Sequence, residues 1–118
     1  MSKEVDKDYE PTMSMDIKNL QIKVNDKIIQ IQIWDSCGSD KFPQSAPNLF
    51  KNAFRAILSY AANDKKPFED LNNWYNILSD YSYDNIVFLI ENKFDLKEER
   101  IVTIEDAETF KNQYDDIN

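Results

Sequence analysis

Glycine occurs once in these 118 residues, at Gly38. Glycine takes positive φ freely and lets a backbone approach a ligand closely. A phosphate-cradling loop of the form G-x-x-x-x-G-K-[ST] needs two glycines, so these residues do not encode one. The same scarcity falls on the turns. Asn25-Asp26, between two apolar-alternating runs, is a turn signal, although a tight type I′ turn prefers glycine second.

Charge narrows the function classes. The net charge is −8 and the pI near 4.5, which argues against a nucleic-acid surface and against electrostatic docking on anionic lipid. With 42% hydrophobic and 13% aromatic residues, the chain has the material for one folded domain. Histidine is absent and Cys37 is the single cysteine, so histidine-based triads, zinc sites and an internal disulfide are excluded. No run approaches the roughly 18 apolar residues of a membrane helix. The N-terminal residues do not read as a signal peptide, and the C-terminal residues hold no prenylatable cysteine. Cytoplasmic localisation is the expectation.

Along the chain, residues 1–8 are charged and expected to be flexible, and 9–118 are expected to form one domain. Asp16–Val24 carries Leu20, Ile22 and Val24 at a period of two. Lys27–Trp34 alternates likewise, with Ile29, Ile31 and Ile33 on one face and Ile28, Gln30, Gln32 and Trp34 on the other. Together these runs predict a β-hairpin. Residues 36–48 read as a loop, broken by Pro43 and Pro47. Periodicity leaves Ala53–Tyr60 open between strand and helix. Phe68, Leu71, Trp74, Tyr75 and Leu78 lie at helical spacing over Pro67–Asp80, and proline suits a first helical turn. Ile86-Val87-Phe88-Leu89-Ile90 suits a strand of a parallel sheet buried on both faces. Thr103–Tyr114 predicts a last helix, with Thr103 and Asp106 approximating a capping box. The order β-β-loop-β-α-β-α is an α/β pattern.

Two short strings carry the chemistry. Asp35-Ser36-Cys37-Gly38 follows a strand ending in an aromatic, and Asn92-Lys93-Phe94-Asp95 follows the apolar strand about 57 residues later. Alone, the first also fits a turn after an edge strand and the second a solvated loop. Together, and in this order, they resemble the switch II strand and the guanine-reading motif of Rab-type small GTPases. The likeness extends over nearly the whole chain. Tyr9–Lys18 resembles the switch I segment Y-x-x-T-I-G-V-D-F-K. Leu49-Phe50-Lys51-Asn52-Ala53 sits where Rabs have Y-Y-R-G-A. Tyr60 and Asp64 fit V-Y-D-x-T-D, Phe68 and Trp74 follow, and Ala107 and Phe110 match the helix after the guanine motif. Trp34, between the switches, points to Rab rather than Ras.

The resemblance implies a partial P-loop-NTPase-like sheet with flanking helices, lacking the family's first strand and helix and its last strand and helix. The absent first strand lies at the centre of the family sheet, so two sheet fragments with unpaired edges are expected. By the same resemblance, Thr12 and Asp35 would serve Mg²⁺, and the Gly38 N–H would contact the γ-phosphate. Asn92, Lys93 and Asp95 would read guanine, with the Asp95 carboxylate accepting two hydrogen bonds from the base edge and the Lys93 stem covering the ring. Departures run alongside. Ser39 stands where the water-orienting glutamine belongs, so no catalytic residue is assigned. Ser14 and Glu91 replace glycines, and Ala61 replaces the aspartate of V-Y-D. Ile17 and Leu49 replace two members of an aromatic triad, leaving Trp34. Cys37 replaces an alanine and reads as a small buried filler.

The implied activity is that of a Rab-like GTPase homologue, with an ancestral role in vesicle-mediated transport. GTP or GDP would be held weakly with Mg²⁺, and hydrolysis would be negligible. An alternative is a non-catalytic interaction module whose effector surface is Ile17, Trp34 and Leu49. Another is a chain completed by a separate polypeptide bearing the phosphate loop. Expected partners are guanine nucleotide and protein effectors or a completing chain, with no nucleic acid and at most transient membrane association.

Overall fold

The computed structural model describes residues 15–37, 50–51, 53–81 and 86–118. The chain divides into two compact units, residues 1–44 and 45–118, each taken by itself here.

In the first unit, β1 (Asp16–Val24) and β2 (Lys27–Asp35) form an antiparallel hairpin. The register pairs Leu20 with Ile31 and Ile22 with Ile29, and on the opposite face Ile17 with Trp34 and Gln21 with Gln30. The period-two pattern therefore puts Leu20, Ile22, Ile29, Ile31 and Ile33 on one face, with Ile17 and Ile28 on the other. Asn25 (φ 46°) and Asp26 (φ 64°) both take positive φ. This is type I′ geometry made without glycine, using the two other residues that tolerate the left-handed region. Every residue of both strands is exposed, so the aliphatic face is uncovered among the described residues. An isolated two-stranded hairpin is marginally stable in water. Its turn should therefore limit it. Asp26→Gly is expected to stabilise the hairpin by about 0.5 kcal/mol, by relieving the left-handed backbone cost at that position. Slower amide exchange in β1 and β2 would register the gain, and unchanged exchange would contradict it.

The second unit holds a parallel pair, β3 (Arg55–Ala61) and β4 (Ile86–Asn92). Ala53–Tyr60, ambiguous by periodicity, resolves as a strand because β4 offers it a partner. Helix α1 (Lys65–Glu69) starts at an Asp64 N-cap, whose carboxylate accepts from the Lys66 N–H at 3.1 Å. It breaks at Asp70, and α2 (Leu71–Tyr81) follows. The predicted single helix is thus two, and it begins two residues before Pro67. A 3₁₀ turn (Lys97–Glu99) leads to α3 (Ile104–Lys111), where Thr103 and Asp106 form the predicted capping box reciprocally, at 3.0 and 3.1 Å.

Leu58, Tyr60 and Val87 on one face of this sheet pack with Leu71, Leu78, Val102, Phe110 and Ile117 to make the core. The opposite face corrects an expectation. The apolar run of β4 suited a strand buried on both sides, yet Ile57 is 65% exposed, and Ile86, Phe88 and Ile90 are exposed too. Only one layer of helices covers this sheet among the described residues. The separation into two two-stranded sheets agrees with the two fragments expected. At the outer edge of β4 the C-terminal residues add a parallel bridge, Ile117 to Val87. The Val87 N–H donates to the Asp116 carbonyl and the Leu89 N–H to that of Asn118, both at 3.1 Å. Tyr75 anchors this end. It lies against the Tyr114 ring at 3.7 Å between centroids and donates its hydroxyl to Asp116 Oδ1 at 2.6 Å.

Candidate functional site

The guanine-like motif occupies the loop that leaves β4. Asn92 is the last strand residue, and its carbonyl accepts from the Ala62 N–H at 2.9 Å, tying the loop to the end of β3. Its side-chain Oδ1 accepts from the Lys93 N–H at 2.8 Å. Lys93 then takes φ 58°, a left-handed conformation uncommon for a residue with a Cβ. The chain turns back through Leu96 N–H to Lys93 O (3.0 Å) and Lys97 N–H to Asp95 O (2.9 Å). Asn92, Lys93, Phe94 and Asp95 are all exposed. The Asp95 carboxylate and the Lys93 ammonium make no ion pair or hydrogen bond among the described residues. The loop thus presents an acceptor pair and a flexible cationic stem to solvent at the C-terminal end of parallel strands, where ligands of open α/β sheets bind.

Asp35 ends β2 and is exposed. It belongs to the other unit, so no geometry relates it to this loop. Thr12, Gly38, Ser39 and Leu49 lie outside the described residues. Asp35 is therefore the one described member of the expected Mg²⁺ set. No group of three or more His, Cys, Asp or Glu side chains is placed to hold a metal ion among the described residues. Asp35 alone does not constitute such a site. Cys37 is buried and unpaired, as a small filler would be.

Two residues of the expected effector surface are among the described residues. Ile17 and Trp34 pair directly across the hairpin, and Trp34 is 45% exposed. Its indole N–H donates to Gln32 Oε1 at 2.8 Å, and the Gln32 amide donates to Asn19 Oδ1 at 3.1 Å. The indole is thus oriented by a polar ladder while much of it faces solvent.

Residue-type reasoning marked Glu91 only as a replaced glycine. The structure gives it a partner nine positions on. Arg100 grips its carboxylate with both terminal nitrogens, Nη1 to Oε2 at 2.9 Å and Nη2 to Oε1, and the Tyr60 hydroxyl donates to Oε2 at 3.2 Å. Arg100's hydrogen bonds, its charge and the Tyr60 hydroxyl hold the Glu91 carboxyl below its usual range, against partial burial. Burial, reinforced by the Glu91 charge, pushes the Tyr60 hydroxyl up to about 12.

The signs fix two pH limits. A lowered carboxyl contributes stability above its ordinary pKa and loses it as pH falls through the folded value. The difference in thermal midpoint between the natural chain and Glu91→Gln should therefore be present at neutral pH and narrow as pH falls below the ordinary carboxylate range and through the lowered folded value. A difference that stays constant as pH falls until the carboxylate is protonated in the folded chain would show that its charge is not what matters. At the alkaline end, Tyr60 and Tyr75 are both pushed up to about 12, Tyr75 by burial and its bond to Asp116. Their contribution is complete below the ordinary value of 10.0 and is lost as pH rises through about 12.

Comparison with known proteins supplies the family. The family model described as "Ras family" matches residues 1–118. The chain belongs to the Ras family. Its relatives include the Ras-related protein Rab-37 of Homo sapiens, 28% identical over 104 residues, covering 87% of this chain and 47% of that protein. Ras-related protein Rab11B of Nicotiana tabacum is 33% identical over 100 residues, covering 84% and 46%. Ras-related protein Rab-3A of Homo sapiens is 34% identical over 95 residues, covering 80% and 43%. The chain spans about half the length of the curated relatives it matches. The mixed α/β fold with its parallel sheet is consistent with a partial small-GTPase fold. No helix among the described residues is long and apolar enough to cross a membrane.

Proposed function

We propose that this Ras-family chain is a Rab-like guanine-reading protein in which the base-reading loop is retained while nucleotide binding by these 118 residues is weak. Asn92, Lys93 and Asp95 read the base. GTP hydrolysis is negligible, because Ser39 is too short to orient water as glutamine does and no phosphate loop is encoded here. By family resemblance Thr12 and Asp35 would serve Mg²⁺ and Gly38 the γ-phosphate, and the cellular role is in vesicle-mediated transport. The observation that carries this reading is the loop after β4, where the exposed carboxylate of Asp95 stands beside a left-handed Lys93. The test is a fluorescent-GDP titration of the natural chain and Asp95→Ala.

A second reading rests on the exposed Ile17–Trp34 pair. Here the hairpin is a protein-interaction module, and its partners are effectors of Rab-like proteins. Aromatic residues of this kind dominate interface energetics, and truncating one that anchors an interface costs about 2 kcal/mol or more. Trp34→Ala is therefore expected to weaken effector capture by roughly thirtyfold in pull-down. Undiminished capture would show that Trp34 is not the site.

A further inference from the structure

The loop 92–100 has a problem of support. Lys93 sits in a conformation that a residue with a Cβ avoids, and every residue of the base-reading motif is exposed. Such a backbone persists only where its surroundings over-determine it. Two devices are present. Main-chain bonds to Ala62 hold the two ends: its N–H donates to Asn92 O at 2.9 Å, and its carbonyl accepts from Ile101 and Val102 at 2.8 and 3.0 Å. The other device is made of side chains. Glu91 precedes the motif immediately and Arg100 closes the loop, so their ion pair joins its two ends. The Glu91 and Arg100 side chains are only 22% and 29% exposed. Arg100 Nη1 also donates to Val102 O at 3.1 Å, and Tyr60, a core residue, donates to Glu91. The pair is thus locked to the core at one end and, at the other, to the segment that runs from the 3₁₀ turn into α3. A bidentate carboxylate–guanidinium contact fixes geometry as well as distance.

We propose that the Glu91–Arg100 pair is a positioning clamp that sets the conformation of the base-reading loop, so that Lys93 and Asp95 meet a purine edge together. Neither clamp residue touches the base. This inference rests on the guanine reading given above, and it extends that reading to the two residues that make the loop competent. It separates from a general stabilising role because the fork matters, not only the charge. Lysine at position 100 would keep the charge and lose the bidentate geometry.

The test uses the 118-residue chain and its Glu91→Gln and Arg100→Lys variants, followed by amide-resolved NMR. Without ligand, exchange of the Leu96 and Lys97 amides, which close the loop, is expected to rise about tenfold in both variants. Exchange of the Val87 and Leu89 amides in the core strand is expected to stay within about twofold. Titration with GMP, followed at the Lys93, Phe94 and Asp95 amides, should show binding weakened about fivefold in both variants, with AMP as the base control. Three results would overturn the clamp. These are loop exchange unchanged, loop and core exchange rising together, or GMP binding unaltered while the loop loosens. The guanine reading fails separately. If GMP causes no saturable shift in the natural chain, that reading falls, and the exchange measurements alone decide the clamp.

Discussion

Phe110→Ala is expected to destabilise the second unit by about 3–5 kcal/mol, the range for deleting a buried aromatic side chain. Phe110 is 3% exposed on the inner face of α3. Its ring lies 6.0 Å from that of Phe68 and 5.4 Å from that of Tyr114, so it joins α1 to the C-terminal segment. The core around it is small, and one face of its sheet is open. Domains are stable by only about 5–15 kcal/mol, so this single truncation should remove a large share of the total. The damage should also spread along a defined route. Tyr114 stacks on Tyr75, Tyr75 holds Asp116, and the carbonyls of Asp116 and Asn118 accept from Val87 and Leu89. Loss of Phe110 should therefore loosen the C-terminal bridge, and the Val87 and Leu89 amides should exchange faster even under conditions where the unit stays folded. Urea unfolding followed by circular dichroism measures the first effect, and hydrogen exchange the second. A loss below about 1.5 kcal/mol would mean that the site collapses around the cavity and that Phe110 is not a central support.

Local signals were legible where local physics decides. The hairpin appeared at its predicted position because its alternation favours the register that keeps Leu20, Ile22, Ile29, Ile31 and Ile33 on a common face. The capping box at Thr103 and Asp106 was readable for the same reason, since both partners lie within one turn. Tertiary choices were not legible. Ala53–Tyr60 became a strand because β4, about 30 residues downstream, pairs with it. Three C-terminal residues are too few to carry a periodicity, so the bridge at Ile117 could only be seen in the fold. The β4 run was read as buried on both faces because an aliphatic stretch records what a strand can tolerate, not which neighbours cover it. In the candidate site, Asn92, Lys93 and Asp95 were found by their spacing after a strand. Arg100 was missed because no local rule links it to Glu91, and only closure of the loop brings them together. The expected roles of Thr12, Gly38, Ser39 and Leu49 fall outside the described residues and stay with the family resemblance.

GDP and GTP are expected to bind these 118 residues with dissociation constants near millimolar at best, and Asp95→Ala to remove the preference for guanine. In P-loop NTPases the loop backbone and its lysine cradle the phosphates, and a loop Ser or Thr holds Mg²⁺. None of those groups is encoded here, and the chain carries a net charge of −8 against a polyanionic ligand. The proposed base contacts are what is left. A hydrogen bond to a charged group contributes roughly 1.5–3 kcal/mol, and Asp95 offers two acceptor oxygens. Association itself costs at least about 4 kcal/mol in lost freedom of motion. Two such bonds give roughly 3–6 kcal/mol, which after that cost falls short of the roughly 4 kcal/mol that a millimolar complex represents, so the Lys93 stem over the ring has to supply the rest even for millimolar binding. Removing the carboxylate should weaken guanine nucleotide by about tenfold or more and leave adenine nucleotide unchanged, because adenine cannot offer the same pair of donors. Fluorescent-GDP titration with ATP as competitor measures both quantities. A submicromolar constant abolished by Asp95→Ala would overturn the expectation of weak binding, and would mean that other residues of the chain had taken over the phosphate grip.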